Sequence, residues 1–98
     1  MIYVIAGTEA QAYEYINRKL EESISNGLNP VNIQEYKYVH SPDVFRGIRD
    51  PSGVFIGTWE SRKDMEEIFQ ALLTSIDIKS QKHRIVNDIW SKWNDKRV

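Results

Sequence analysis

Gly7-Thr8 and Gly57-Thr58 each close a short apolar run, "YVIAGT" and "VFIGT", and each leads into a stretch with helical patterning. Glycine at such a point lets a ligand approach the main chain closely. Threonine adds a hydroxyl, and the first turn of a following helix presents amides that have no partner of their own and favour an anion. Trp59, directly after the second pair, offers a stacking face. Arg46, Arg49 and Arg62 supply cations suited to a phosphate, and His40 is expected near the same edge. Together these define a candidate ligand site of Gly7, Thr8, Arg46, Arg49, Gly57, Thr58, Trp59 and Arg62.

Each of these residues also has an explanation without a ligand. Thr8 and Gln11 have the spacing of a capping box, in which the threonine caps a helix and the glutamine reaches back to its amide. Gly7 suits a tight turn, Trp59 a place at the rim of the core, and a single arginine a solvated surface. Neither G-x-G-x-x-G nor G-x-x-x-x-G-K-[ST] is complete, so dinucleotide and triphosphate fingerprints do not apply. Catalysis has a thinner basis. No cysteine is present, and His40 and His83 form neither a metal cluster nor a triad. The remaining arrangement is Glu9 with Glu60, which lie one and two residues beyond the Gly-Thr pairs and would serve glycosyl chemistry if the fold joined them. No catalytic residue, metal site or cofactor is assigned.

The 98 residues suit one domain, with 41% apolar and 11% aromatic side chains to build a core. Thirteen basic against 14 acidic residues argue against bulk binding to nucleic acid or membrane. The lack of cysteine fits a cytoplasmic protein, and "MIYVIAGTEA" is too short to span a bilayer and has no basic flank.

The elements that must position the candidate site are set by periodicity. Ile2 to Ala6 is an uninterrupted apolar run, as expected of a strand covered on both faces. Behind the Thr8 cap, Ala12, Ile16, Leu20 and Ile24 recur every four residues beside Tyr13, forming one helix face that stops at Asn26-Gly27 and Asn29-Pro30. Ile33, Tyr36, Tyr38 and Val39 alternate with polar residues, predicting a half-exposed edge strand. Ser41-Pro42-Asp43 opens a short helical turn through Val44, Phe45 and Ile48, and Asp50-Pro51-Ser52-Gly53 is a turn. Val54-Phe55-Ile56 is a third strand, expected to be buried. Ser61-Arg62-Lys63-Asp64 resembles a second capping box, ahead of Met65, Ile68, Phe69, Leu72 and Ile76 at helical spacing. After a break at 76–80, Ile85, Val86, Ile89, Trp90 and Trp93 mark a C-terminal amphipathic helix.

Strands alternating with helices argue for parallel pairing through right-handed crossovers. With the half-polar strand at an edge and the apolar first strand central, the expected fold is a minimal Rossmann-like or flavodoxin-like α/β sheet of three parallel strands in order 2-1-3. The sheet-and-helix core occupies 1–78 of a single domain, and the C-terminal helix, 80–98, packs on it or on another copy. In such a sheet a ligand settles outside the carboxyl ends of the strands, where connections diverge. That places it between the two Gly-Thr pairs.

The pattern "AGT…YKYVHSPDVFRGIRDPSGVFIGTW", over about residues 1–75, resembles that of uncharacterised bacteriophage-encoded α/β proteins. The resemblance implies action by binding: sequestering a nucleotide immune signal in the host cytoplasm, or blocking a host enzyme by contact. The leading expectation is a non-enzymatic binder of a small anionic nucleotide-like ligand, assembled as a homo-oligomer. The alternatives are a protein–protein inhibitor or adaptor using the Ile/Trp stripe of the C-terminal helix, and a nucleoside or nucleotide enzyme using Glu9 and Glu60.

Overall fold

A computed structural model of the chain describes residues 1–25 and 35–96. Strand β1 (Ile2–Ala6) leads into helix α1 (Glu9–Ser25), and strand β2 (Tyr36–Tyr38) comes next. A 3-10 turn at Pro42–Phe45 precedes strand β3 (Ser52–Ile56), and another at Trp59–Ser61 precedes helices α2 (Met65–Ser75) and α3 (Gln81–Lys96). The three strands are parallel in the order β2-β1-β3. Val4 sits opposite Tyr38 on one side and Val54 on the other, and Ala6 pairs with Ile56. The expected helix stop at Asn26-Gly27 and Asn29-Pro30, and Ile33 of the expected second strand, lie outside the described residues.

The alternation of strand side chains divides the core into two layers. Val4 and Ala6 face α1, where Ala12 and Ile16 cover them and Tyr36, Tyr38, Val54 and Ile56 pack around them. Tyr3 and Ile5 face the other way, into a larger cluster with Phe45, Met65, Ile68, Phe69, Leu72, Ile76, Val86 and Trp93. Burying a side chain of this size contributes roughly 1.5–3 kcal/mol, so the second layer dominates the stability. Gly53 faces it as well, where a Cβ would sit in ordinary contact with Ile5 and Leu72.

Helix α1 turns its predicted stripe away from the sheet as it proceeds. A four-residue step overshoots a helical turn by about 40°, so residues spaced by four rotate steadily round the helix. Ala12 and Ile16 are buried, Leu20 is half-buried and Ile24 is exposed, while Ser23 takes the buried position near the end. Helix α2 keeps mixed spacings of three and four, and Met65, Ile68, Phe69 and Leu72 all remain buried.

Helix α3 packs on the chain's own core. Val86 and Trp93 are buried there, Ile89 and Trp90 are partly covered, and of the predicted stripe Ile85 stands out in solvent. The Trp93 indole lies 5.5 Å from Phe69 and donates to the Glu60 carbonyl at 3.2 Å. At the opposite edge, Lys82 Nζ donates to the Asp50 carbonyl at 3.1 Å, and the Asp50 amide donates to the Ser75 carbonyl at 2.8 Å. Asp50 thereby ties β3's approach to both helices. Strand β3 departs from expectation, since all five of its residues are half-buried. It has β1 as its only strand neighbour among the described residues, and an edge strand keeps part of each side chain in water.

Candidate functional site

The carboxyl ends of β1 and β3 are held together by one side chain. Thr8 Oγ1 accepts from the Gln11 amide at 3.2 Å, which caps α1 as the spacing predicts. The glutamine does not return to the Thr8 amide, as a capping box would have it. Its Oε1 accepts from the Gly7 amide at 3.1 Å, the Thr58 amide at 3.1 Å and the Thr58 hydroxyl at 3.2 Å. Three donors, drawn from both Gly-Thr turns, converge on a single oxygen.

The glycines make this approach possible. A Cβ on Gly7 would lie 2.0 Å from Thr58 Oγ1 and 2.7 Å from the Thr58 carbonyl oxygen. Gly57 has φ +58, the left-handed region, and a Cβ there would lie 2.3 Å from Gln11 Oε1. The repeated Gly-Thr pair is therefore the joint at which two strand ends meet, with Gln11 as its pin.

Arg62 has a different setting from a phosphate-binding arginine. Its side chain is 7% exposed and its fork meets Asp64, Nε to Oδ1 and Nη2 to Oδ2, both at 2.9 Å. Nη1 donates to the carbonyls of Ala6 and Val39, and Nη2 to that of His40. A guanidinium has five N–H donors, and these five acceptors use them all. The arginine stitches the end of β1 to the end of β2. This also explains why α2 starts at Met65 and not after Ser61. Asp64 occupies the N-cap position without capping, because both its oxygens are turned to Arg62, and Ser61 Oγ donates instead to the Thr58 carbonyl at 2.7 Å.

The other predicted residues are dispersed. Trp59 is half-buried and packs edge-on against Phe55 at 5.1 Å and Phe69 at 6.0 Å. Arg46 is an exposed partner of Asp43 at 3.6 Å, beside a cleft formed with Glu67, Gln70 and Thr74 of α2. Arg49 lies with Asp50, Ser75 and Asp77, at the amino end of β3 and so at the far edge from Gly57. Glu9 and Glu60 belong to different layers: Glu9 borders a cleft between α1 and β2, whereas Glu60 pairs with Lys96 of α3 at 3.6 Å. The structure thus brings together Gly7, Thr8, Gly57 and Thr58 of the predicted set. Among the described residues, no group of three or more His, Asp or Glu side chains is placed to hold a metal ion.

Two clefts flank the first turns of α1. A smaller one of 290 Å³, on the β3 side, is lined by Gln11, Glu14, Tyr15, Arg18, Ile56 and Gly57. A larger one of 520 Å³, on the β2 side, is bordered by Glu9, Tyr13, Tyr36, Lys37, Tyr38 and His40. The Tyr36 phenol there is pushed above its usual value by burial, then by the neighbouring Tyr15, with Lys19 opposing and Glu35 and Glu22 adding. Gln11 and Arg62 carry the geometry of the edge, and their sequence signal was weak. Thr8-x-x-Gln11 announced a cap but not a partner 47 residues away. No helix is long and apolar enough to cross a membrane among the described residues. No protein-family model, curated protein or solved structure matches the chain.

Proposed function

We propose that the chain binds, without transforming it, a small anionic nucleotide-like ligand at the carboxyl edge of its sheet. The observation that supports this is the convergence of the Gly7 amide, the Thr58 amide and the Thr58 hydroxyl on one oxygen where β1 and β3 end. In the free protein that oxygen is the side-chain carbonyl of Gln11. A phosphate oxygen is an acceptor of the same kind with more charge, and hydrogen bonds to a charged acceptor are about twice as strong. The first-turn amides of Glu9 and Ala10 have no acceptor within α1, and the helix dipole favours negative charge at this end. Arg18, which pairs with Glu14 at 3.7 Å, lines the adjoining 290 Å³ cleft and places a cation beside the cradle. The resemblance to phage proteins extends the proposal to sequestering a nucleotide signal.

A thermal-shift panel of mononucleotides, cyclic dinucleotides and ADP-ribose derivatives tests the reading. A ligand at 100 times its Kd stabilises the native state by about 2.7 kcal/mol, a rise on the order of 10 °C for a domain of this size. The rise should disappear in Gln11→Glu, where a fixed carboxylate occupies the cradle. Recovery of the released ligand unaltered by chromatography supports binding without chemistry. An unmoved melting temperature across every phosphate compound would sink the proposal and favour a protein partner.

A further inference from the structure

The larger cleft, between α1 and β2, holds a set of side chains that the fold does not use. Tyr13 is 51% exposed and belongs to neither core cluster, and its side chain has no ring contact or hydrogen bond among the described residues. Across the cleft, Tyr38 is half-buried, and the internally bonded Arg62 guanidinium lies 5.6 Å from its ring centroid. This gives one fixed aromatic wall and one free aromatic wall around a volume of 520 Å³. Glu9 and His40 complete the border, and neither has a side-chain partner among the described residues.

We propose that this cleft is the ring subsite for a nucleobase, a reading that rests on the anion site proposed above. Stacking on tyrosine suits any flat π system. The polar border narrows the class. A glutamate carboxylate only accepts, while an imidazole carries an N–H donor, so Glu9 and His40 best match a ring with both N–H donors and N or O acceptors on its edge. Nucleobases have both and simple aromatics do not. The location agrees as well. The anion cradle lies between β1 and β3, and the cleft lies over β2 on the other side of α1. Across the sheet, at about 4.8 Å per strand, they are offset by about 5–10 Å, and Glu9 and His40 bring the upper end of the cleft to the same carboxyl edge as the cradle.

The test uses the full chain with three probes: inorganic phosphate, the four ribonucleosides, and their 5′-monophosphates. Backbone amide and tyrosine-ring NMR signals are followed separately. Nucleosides should move the ring signals of Tyr13 and Tyr38, and phosphate should move the amides of Gly7 and Thr58. Monophosphates should move both. Tyr13→Ala should weaken the monophosphates about tenfold or more and leave inorganic phosphate unchanged, whereas Tyr13→Phe should bind like the parent. The ring subsite is overturned if phosphate shifts Gly7 and Thr58 while no nucleoside or monophosphate reaches Tyr13, or if Tyr13→Ala binds monophosphates as tightly as the parent. Nucleosides that shift the tyrosines with no phosphate response at Gly7 or Thr58 would retain the cleft and remove the anion reading. Silence from all three probes removes both.

Discussion

Replacing Gln11 separates its roles as a joint and as a stand-in for an anion. Gln11→Ala deletes the acceptor for three donors, and a hydrogen bond contributes about 0.5–1.5 kcal/mol net. Thr58 is exposed and Gly7 half-buried, so water recovers part of the loss at Thr58. The expected cost is about 1–2 kcal/mol, or roughly 4–15 °C in Tm for a domain of this length. Gln11→Glu keeps the accepting oxygen and adds charge beside three donors and a helix N-terminus, where a carboxylate gains about 0.3–1 kcal/mol. Glu9 and Glu14 oppose it from exposed positions, where salt screens them. At pH 7 this variant should equal or exceed the parent in stability.

The sign of its pH dependence comes from the same contacts. Donors and dipole lower the pKa of the introduced carboxylate in the folded state below its unfolded value of about 4.3. Its extra stabilisation is therefore present above about pH 4.3 and is lost as pH falls through the folded value. Urea melts at pH 7 and pH 3.5, compared at unchanged m-value, measure both effects. If Gln11→Glu is as unstable as Gln11→Ala at pH 7, the three donors do not converge on that oxygen and the reasoning fails.

Three further outcomes are expected. Gly7→Ala should cost about 1–3 kcal/mol by overpacking, and Thr58→Ala should not rescue it, because the Thr58 carbonyl remains 2.7 Å from the new Cβ; chemical denaturation of the single and double variants checks this. Arg62→Lys should destabilise nearly as much as Arg62→Ala, by about 2–4 kcal/mol once the 29% exposure of Asp64 is allowed for, since an ammonium cannot serve five acceptors; near-equal denaturation midpoints of variant and parent would refute it. The contribution of Tyr36 to stability should be constant below about pH 10 and decline above it, because its raised pKa keeps the folded phenol neutral while the unfolded one ionises; Tyr36→Phe should make the alkaline decline shallower in melts between pH 9 and 11.

The order of the strands was legible because it depends on local polarity. An all-apolar Ile2–Ala6 needs cover on both sides, and a strand with Lys37 at its middle does not. The Thr8 cap was legible for the same reason, being settled within four residues. What escaped the sequence was the side-chain bonding between distant segments. An arginine reads alike whether it is solvated or, like Arg62, saturated by the carbonyls of two strand ends. Ser61-x-x-Asp64 met the spacing of a capping box, yet an arginine between them claimed the carboxylate. The half-buried state of β3 also escaped, since Val54-Phe55-Ile56 is apolar enough for a central strand and only the topology leaves it at an edge. Spacing puts Tyr13 beside the Ala12–Ile16 helix face, but its position one residue past Ala12 turns it toward the cleft over β2.

The joint and the proposed anion site use the same donors, and this sets how stability and affinity must relate. A phosphate oxygen entering the cradle displaces Gln11 Oε1, so three hydrogen bonds are exchanged for three and the gain is limited to the difference in charge. Inorganic phosphate should therefore bind weakly, and most of a nucleotide's affinity should come from contacts beyond the cradle. Gln11→Ala then has opposite effects on the two properties. It loosens the native fold by removing the pin between Gly7 and Thr58, and it tightens anion binding by removing the internal competitor, as expected when the binding-competent arrangement becomes more populated. A titration of inorganic phosphate into both proteins, read at the Gly7 and Thr58 amides, distinguishes this from a glutamine that contacts the ligand itself. Weaker phosphate binding in Gln11→Ala would mean that Gln11 belongs to the site, and that the convergence of donors upon it is not an anion cradle held closed by its own side chain.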